Sequence, residues 1–245
     1  MDYDDSFYEN NVNNTMTSPE KVFTILSRFF DINSVCDIGG GVGVWIGNFL
    51  KMKGITEDQD AKVLCIDGGH IKEDKLLVPK KYFRKANLED RIDLGGERYD
   101  LVMTLEVAEH LSPSRADSFV EDLVNISDVV LFSAALEGQG GTHHVNEQYM
   151  PYWIEKFAKH GYEPFDLIRP EIQFCMDVPW CYRQNMIVLV NRESEYYRLL
   201  KDVYHAYPPL QRMVVIECFE GRLKLMKRLR HSLLHKIYVA VTHQK

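Results

Sequence analysis

Ser34-Val35-Cys36-Asp37-Ile38-Gly39-Gly40-Gly41-Val42-Gly43 is the stretch whose reading decides the fold. Its first half reads as a short buried strand, Val35–Ile38, which breaks into glycines and opens a helix along Val44-Trp45-Ile46-Gly47-Asn48-Phe49-Leu50. Glycine tolerates positive φ and carries no Cβ, so a ligand can lie almost on the backbone at such a turn. The helix that follows offers unpaired N–H groups to whatever sits there. The pattern Gly39-x-Gly41-x-Gly43 alone would also suit a turn at which nothing binds, but two acidic residues add to it. Asp37 sits at the strand's end, where a carboxylate packs poorly unless it fixes the turn or meets a cation. A second apolar strand, Lys62-Val63-Leu64-Cys65-Ile66, ends in Asp67-Gly68-Gly69. An acid closing the second strand of a βαβ unit is the usual partner of a ribose diol. Asp67 lies thirty positions beyond Asp37, a long spacing that a polar insertion at residues 52–60 explains.

Asp37-Ile38-Gly39-Gly40-Gly41-Val42-Gly43 resembles motif I of the class I S-adenosylmethionine (SAM) methyltransferases. It does not resemble a dinucleotide site, whose fingerprint needs a third glycine deeper in the helix. Asp67 stands where that family's ribose-binding acid stands. Ala86-Asn87-Leu88-Glu89-Asp90 stands where the family has an Asp-Leu or Asn-Leu pair beside the adenine. Tyr99-Asp100-Leu101-Val102-Met103-Thr104-Leu105-Glu106-Val107-Ala108-Glu109-His110-Leu111 resembles the fourth strand running into its next helix. The resemblance spans residues 22–191 and rests on four ordered motifs. Gly40 departs from it, because cysteine or alanine is commoner there; glycine at that position is expected to be harmless. The fold implied is an α/β, Rossmann-like, doubly wound, seven-stranded and mostly parallel sheet, with SAM as cofactor.

The chain has 245 residues, enough for one α/β domain with additions. Its 45% apolar content is ordinary for a globular protein. No apolar run reaches the roughly 18 to 20 residues of a membrane span. Met1-Asp2-Tyr3-Asp4-Asp5 lacks the basic and apolar regions of a signal peptide. Five cysteines, an odd number with no zinc-type repeat, suit a reduced, cytoplasmic compartment. A net charge of −7 argues against general affinity for nucleic acid.

Residues 1–17 are polar and dotted with aromatics, which suits a frayed terminus or a lid over the cofactor. Thr17-Ser18-Pro19-Glu20 predicts a helix start with a hydroxyl cap and proline in the first turn. The methyltransferase domain is expected over residues 18–192. Within it, strands are predicted at 35–38, 63–66, 82–86, 101–104, 129–134, 165–168 and 186–190, with helices at 115–125 and 149–160. Gly161 reads as a left-handed terminator of the latter helix. Two apolar runs close the domain, and the resemblance implies that they form a hairpin. Residues 193–245 read as a helical, basic extension whose apolar stripe docks on the domain or on a second copy, giving a possible homodimer.

The resemblance also implies roles for particular residues. Asp67, with Gly68 beside it, would accept the ribose hydroxyls, and charged acceptors make the stronger bonds. Gly39, Gly41 and Gly43 would lie against the methionine portion, Asn87 and Leu88 beside the adenine, and the backbone of Thr104 and Leu105 near the amino group. Methyl transfer then depends mainly on orienting the acceptor behind the methyl carbon. An alcohol acceptor must also lose a proton, and a well-placed base is worth about 10²- to 10⁴-fold.

Glu137-Gly138-Gln139-Gly140-Gly141-Thr142-His143-His144-Val145-Asn146-Glu147-Gln148-Tyr149, at the carboxyl end of the fifth strand, speaks to the acceptor. With Tyr152-Trp153 it is similar to bacterial methyltransferases of surface-polysaccharide and other small-molecule pathways. His144 is the candidate base, His143 the second choice, and Asn146 a positioning residue. Helix capping is the plainer role for these histidines. Glu109 and His110 are expected to line the acceptor pocket. Glu106-x-x-Glu109-His110, with His143 or His144 opposite, could instead hold a divalent metal if all leave one helix end together. That pattern resembles small-RNA 3′-end 2′-O-methyltransferases and ubiquinone-pathway O-methyltransferases. The leading expectation is therefore O-methylation of a small polar acceptor, such as a sugar or a nucleotide-linked glycan precursor. Metal-assisted RNA 2′-O-methylation and a non-catalytic SAM-binding protein are the alternatives.

Overall fold

The computed structural model describes residues 17–68 and 71–204. Helix α1 (Ser18–Leu26) leads into strand β1 (Val35–Ile38), helix α2 (Val44–Met52) and β2 (Val63–Asp67). Then come β3 (Phe83–Lys85), β4 (Leu101–Leu105), α3 (Ala116–Ile126) and β5 (Val129–Ser133). The remainder is α4 (Met150–Lys159), β6 (Tyr162–Phe165), α5 (Arg169–Ile172), α6 (Trp180–Asn185), β7 (Ile187–Asn191) and α7 (Glu195–Tyr204). The seven strands form one sheet in the order β3-β2-β1-β4-β5-β7-β6. The first five are mutually parallel, and β7 runs antiparallel to β5 and β6.

Side chains of a strand alternate between its two faces, so each central strand feeds two cores. Leu101, Met103 and Leu105 of β4 pack with α1, α2, α5 and α6 residues such as Phe23, Trp45, Ile172 and Tyr182. Val102, between them, packs with Phe119 and Leu123 of α3 and Trp153 and Phe157 of α4. From β1 the chain winds outward through β2 to β3 and then returns to the other side of β1 with β4, so strand order reverses there and the β1/β4 boundary is the switch point of the sheet. In open α/β sheets the crevice at that point, beyond the carboxyl ends of the strands, is the ligand site.

Several expectations need correction. The sixth strand lies at Tyr162–Phe165 rather than 165–168. Gly161, at φ 81°, ends α4 and the chain enters the strand at once. Tyr162 is then buried, its hydroxyl donating to the Ser127 carbonyl at 2.6 Å. Asp166 beyond it turns to pair with Arg169 at 2.7 Å. Thr17 does not cap α1; its hydroxyl donates to the Asp177 carbonyl at 2.7 Å. No α-helix follows β4 directly. Two single 3₁₀ turns, Ala108–His110 and Pro113–Arg115, intervene before α3. Leu200 of α7 is buried and Tyr196 packs edge-on against Phe30, so the start of the expected extension belongs to the domain's packing. The lid assigned to residues 1–17, except Thr17, and the basic helices beyond 204 lie outside the described residues. No helix among the described residues is long and apolar enough to cross a membrane.

Candidate active site

The parallel register of β1 and β2 sets Ile38 beside Ile66, so the glycine turn leaves β1 level with Asp67. Gly39 N donates to the Ile66 carbonyl at 2.8 Å, folding the loop over the end of β2. Gly41 N then reaches the Asp67 carboxylate at 2.6 Å, and Gly68 N bonds the other Asp67 oxygen at 2.5 Å. The bend after the first strand and the acid ending the second therefore converge on one another. Gly43, left-handed at φ 89°, is the N-cap residue of α2 and makes no side-chain cap, as a helix start facing a ligand requires.

Two glycines here are forced by close approach. A Cβ on Gly39 would lie 2.3 Å from a Val107 methyl. A Cβ on Gly40 would lie 2.5 Å from Asp37 Oδ2 and 2.7 Å from Cys65 Sγ. Gly40 is thus required rather than merely tolerated, because the Cys65 sulfur fills the space beneath it. Asp37 is buried, and its Oδ2 finds no partner among the described residues. Burial first, and then the Asp67 charge, push its carboxyl well above the usual range. Its carboxylate lies beneath the turn, against the place a Gly40 Cβ would take.

Asn87 and Leu88, expected beside the adenine, lie in the loop between β3 and β4. Asn87 is exposed and closes its own turn, donating to Asp90 at 3.1 Å and accepting from Glu89 N at 3.3 Å. Leu88 is half-buried, its carbonyl accepting from the Arg115 guanidinium at 3.1 Å. Arg115 also bonds the Asp90 carbonyl at 2.8 Å and pairs with buried Asp122, which holds this loop on α3. Thr104 is fully buried inside β4 with no partner for its hydroxyl among the described residues, and Leu105 is buried next to it.

On the acceptor side, Glu109, His110 and His144 converge. One ligand atom from each lies within 4.8 Å of the others. Glu109 is fully buried, and neither carboxylate oxygen has a hydrogen-bond partner among the described residues. Burial and the Glu106 charge hold its carboxyl well above the usual range. The His110 ring stands edge-on to His144, centroids 4.8 Å apart. Burial, then the His144 charge, lower the His110 pKa to about 4, so this imidazole is neutral. His144 Nδ1 bonds Glu147 at 2.9 Å, and Glu147 also accepts Gly138 N at 2.8 Å and Gly140 N at 2.6 Å. One carboxylate thus folds the glycine loop and aims the imidazole.

His143 is exposed, in a left-handed conformation at φ 62°, and outside the cluster. Asn146 is buried and positions through its backbone: its N–H and that of Val145 bond the Glu109 carbonyl at 3.0 and 2.9 Å. Glu106 does not join Glu109 and His110. Its left-handed backbone, φ 56°, breaks any common helix face and turns its carboxylate to Asn185 and Gln139 at 3.1 Å each. The four-ligand arrangement is therefore reduced to three residues. Sequence reasoning missed Cys65 and Glu147 as structural partners, and Gln139, Gln184 and Asn185 as an amide cluster. Glu147 and Gln139 lay in the quoted loop, and Gln184-Asn185 were polar residues abutting an apolar strand.

Among the solved structures similar to this chain are several described as methyltransferases. They include the methyltransferase domain of bacterial CtHen1-C, with 20% identity and a TM-score of 0.52 over 74% of this chain and 98% of that one. An O-methyltransferase family protein from Burkholderia thailandensis matches at 14% identity and TM-score 0.53, over 78% of this chain and 60% of that one. The chain has the class I methyltransferase fold. DesVI of Streptomyces venezuelae shares that fold at 11% identity and TM-score 0.51, over 78% of this chain and 100% of the other. No family model matches the sequence, and no curated protein does. The glycine turn and the Glu109 cluster both follow the carboxyl ends of parallel strands, where open α/β sheets place their ligands.

Proposed function

We propose that the chain is a SAM-dependent methyltransferase acting on an oxygen of a small polar acceptor, such as a sugar or a nucleotide-linked glycan precursor. The observation that carries the cofactor assignment is the Asp67–Gly41 bond at 2.6 Å, which brings carboxylate and glycine turn together at the switch point. When bound, SAM supplies a methyl group already activated on a sulfonium. Asp67 orients its ribose diol, and the Cβ-free surface of Gly39, Gly41 and Gly43 admits its tail against backbone.

The acceptor side supports a divalent cation, a role the sequence favoured less than simple base catalysis. Glu109 is an orphaned buried carboxyl, and such groups are costly unless something meets them. His110 is neutral, as a ligand must be, and mixed carboxylate and imidazole donors suit Mg²⁺, Mn²⁺ or Zn²⁺. Glu109, His110 and His144 would hold the ion, which would supply Lewis acidity toward the acceptor oxygen. Glu147 keeps the His144 ring aimed, and Asn146 and Val145 fix the Glu109 backbone. In a second reading, favoured by the Glu147–His144 pair, His144 takes the acceptor proton without metal. The net charge of −7 and the carboxylates around the site weigh against a nucleic-acid acceptor. Cys36, Cys65, Cys175 and Cys181 are free thiols, which supports a reducing, cytoplasmic compartment.

The test is transfer of labelled methyl from SAM to a panel of sugars and glycan precursors, with and without chelator. Transfer abolished by chelator, restored by Mn²⁺ and lost in His144→Ala supports the metal-assisted reaction. Chelator-insensitive transfer leaves the base reading. No transfer to any acceptor, with SAM bound, favours a binding protein.

A further inference from the structure

The loop after β5 carries three glycines at 138, 140 and 141, and backbone conformation explains only the first two. Gly138 and Gly140 sit in the left-handed region, at φ 81° and 73°. Gly141 does not, and it is exposed, so neither its conformation nor core packing asks for glycine. The His144 ring does. A Cβ on Gly141 would stand 2.2 Å from both Cε1 and Nε2 of that imidazole and 2.8 Å from Cδ2. It would press on three ring atoms at once, so the imidazole occupies the place an alanine methyl would take.

Glu147 fixes the same ring from its other nitrogen. A carboxylate offers only acceptors, and this one already accepts Gly140 N–H at Oε1 and Gly138 N–H at Oε2. His144 Nδ1, 2.9 Å from Oε1, is therefore the donor and carries the proton. In the neutral imidazole the lone pair is then on Nε2. Nδ1 being taken, Nε2 is the nitrogen left to serve the cluster with Glu109 and His110, as ligand or as base. We propose that Gly141 is a positioning residue for His144. Its bare Cα seats the imidazole while Glu147 holds the proton on Nδ1, and together they present Nε2 to Glu109 and His110. The inference rests on the reading of this cluster as the acceptor site and deepens it.

Three measurements on the full chain test it without any acceptor. Nitrogen-15 NMR of histidine-labelled chain reads the tautomer, with His144 assigned by its loss in His144→Ala. Wild type shows the proton on Nδ1 and a bare Nε2. Gly141→Ala loses that single tautomer, because the methyl pushes the ring off Glu147. Thermal melts then compare Gly141→Ala in two backgrounds. It lowers the melting temperature when His144 is present. In His144→Ala it is neutral or stabilising, as Gly→Ala is where the backbone suits both residues. Calorimetry with S-adenosylhomocysteine gives wild-type affinity in Gly141→Ala, which reports a folded nucleoside site. A proton on Nε2 in wild type, an unchanged His144 signal in Gly141→Ala, or the same melting loss with and without His144 overturns the assignment. So does a loss of S-adenosylhomocysteine affinity in Gly141→Ala. Failure of the wild-type chain to bind S-adenosylhomocysteine overturns the methyltransferase reading instead, and the tautomer and the melts still decide the role of Gly141.

Discussion

Replacing Glu109 by glutamine separates the cost of the orphaned carboxyl from its use. In the unfolded chain a glutamate ionises near its ordinary value of about 4.3. In the folded chain, burial and the Glu106 charge keep the Glu109 proton on well above that range. The folded state therefore binds more protons than the unfolded one above that pH, and stability drains away as pH rises. One such group contributes at most about 1.4 kcal/mol per pH unit. For a 245-residue chain, each kcal/mol moves the melting temperature by about 2–4 °C. In chelator, Glu109→Gln should thus gain on wild type by a few degrees per unit as pH climbs toward neutrality. Metal reverses the ranking. An ion at a hundred times its Kd stabilises the folded state by about 2.7 kcal/mol, or roughly 5–11 °C, in wild type only. The assay is a thermal melt across pH, with chelator and then with Mn²⁺ or Mg²⁺. An equal metal shift in Glu109→Gln, or no pH-dependent gap between the two in chelator, would refute the assignment of ion and buried acid to this position.

Two other predictions concern neighbouring groups. His110 titrates at about 4 when folded but near 6.5 when unfolded, so its contribution is complete above about pH 6.5 and is lost as pH falls toward 4. His110→Phe flattens the stability profile over that window, as denaturant melts at a series of pH values would show; an unchanged slope contradicts the burial argument. Gly40→Ala costs about 1–3 kcal/mol because its methyl meets Asp37 and Cys65, and adding Cys65→Ala recovers part of the loss in the same melts.

Much of the cofactor side was legible because local rules and tertiary structure agree there. Val35–Ile38 is a strand of the predicted length, and Gly43 opens the helix as its φ freedom suggests. Asp67 meets the loop because parallel register carries the two strand ends level. The acceptor side was legible only in part. Spacing alone put Glu106, Glu109 and His110 on one helix face, but a positive φ at Glu106 and a lone 3₁₀ turn separate them. The Glu106 carboxylate is held by partners far along the chain, Asn185 among them, which local spacing does not reveal. The Asn87 amide closes an Asx turn with Asp90 and Glu89, a local contact that the motif pattern does not reveal. The displaced β6 reflects Gly161, after which the chain has no intervening loop before Tyr162.

The convergence of the glycine turn and the Asp67 carboxylate is the proposed nucleoside site. Titration calorimetry with S-adenosylhomocysteine, on wild type and on Asp67→Ala checked by melting to be folded, examines it without any acceptor. Saturable one-to-one binding in wild type, lost in Asp67→Ala, is the predicted result. No heat in wild type, or equal affinity in a folded Asp67→Ala, would contradict it.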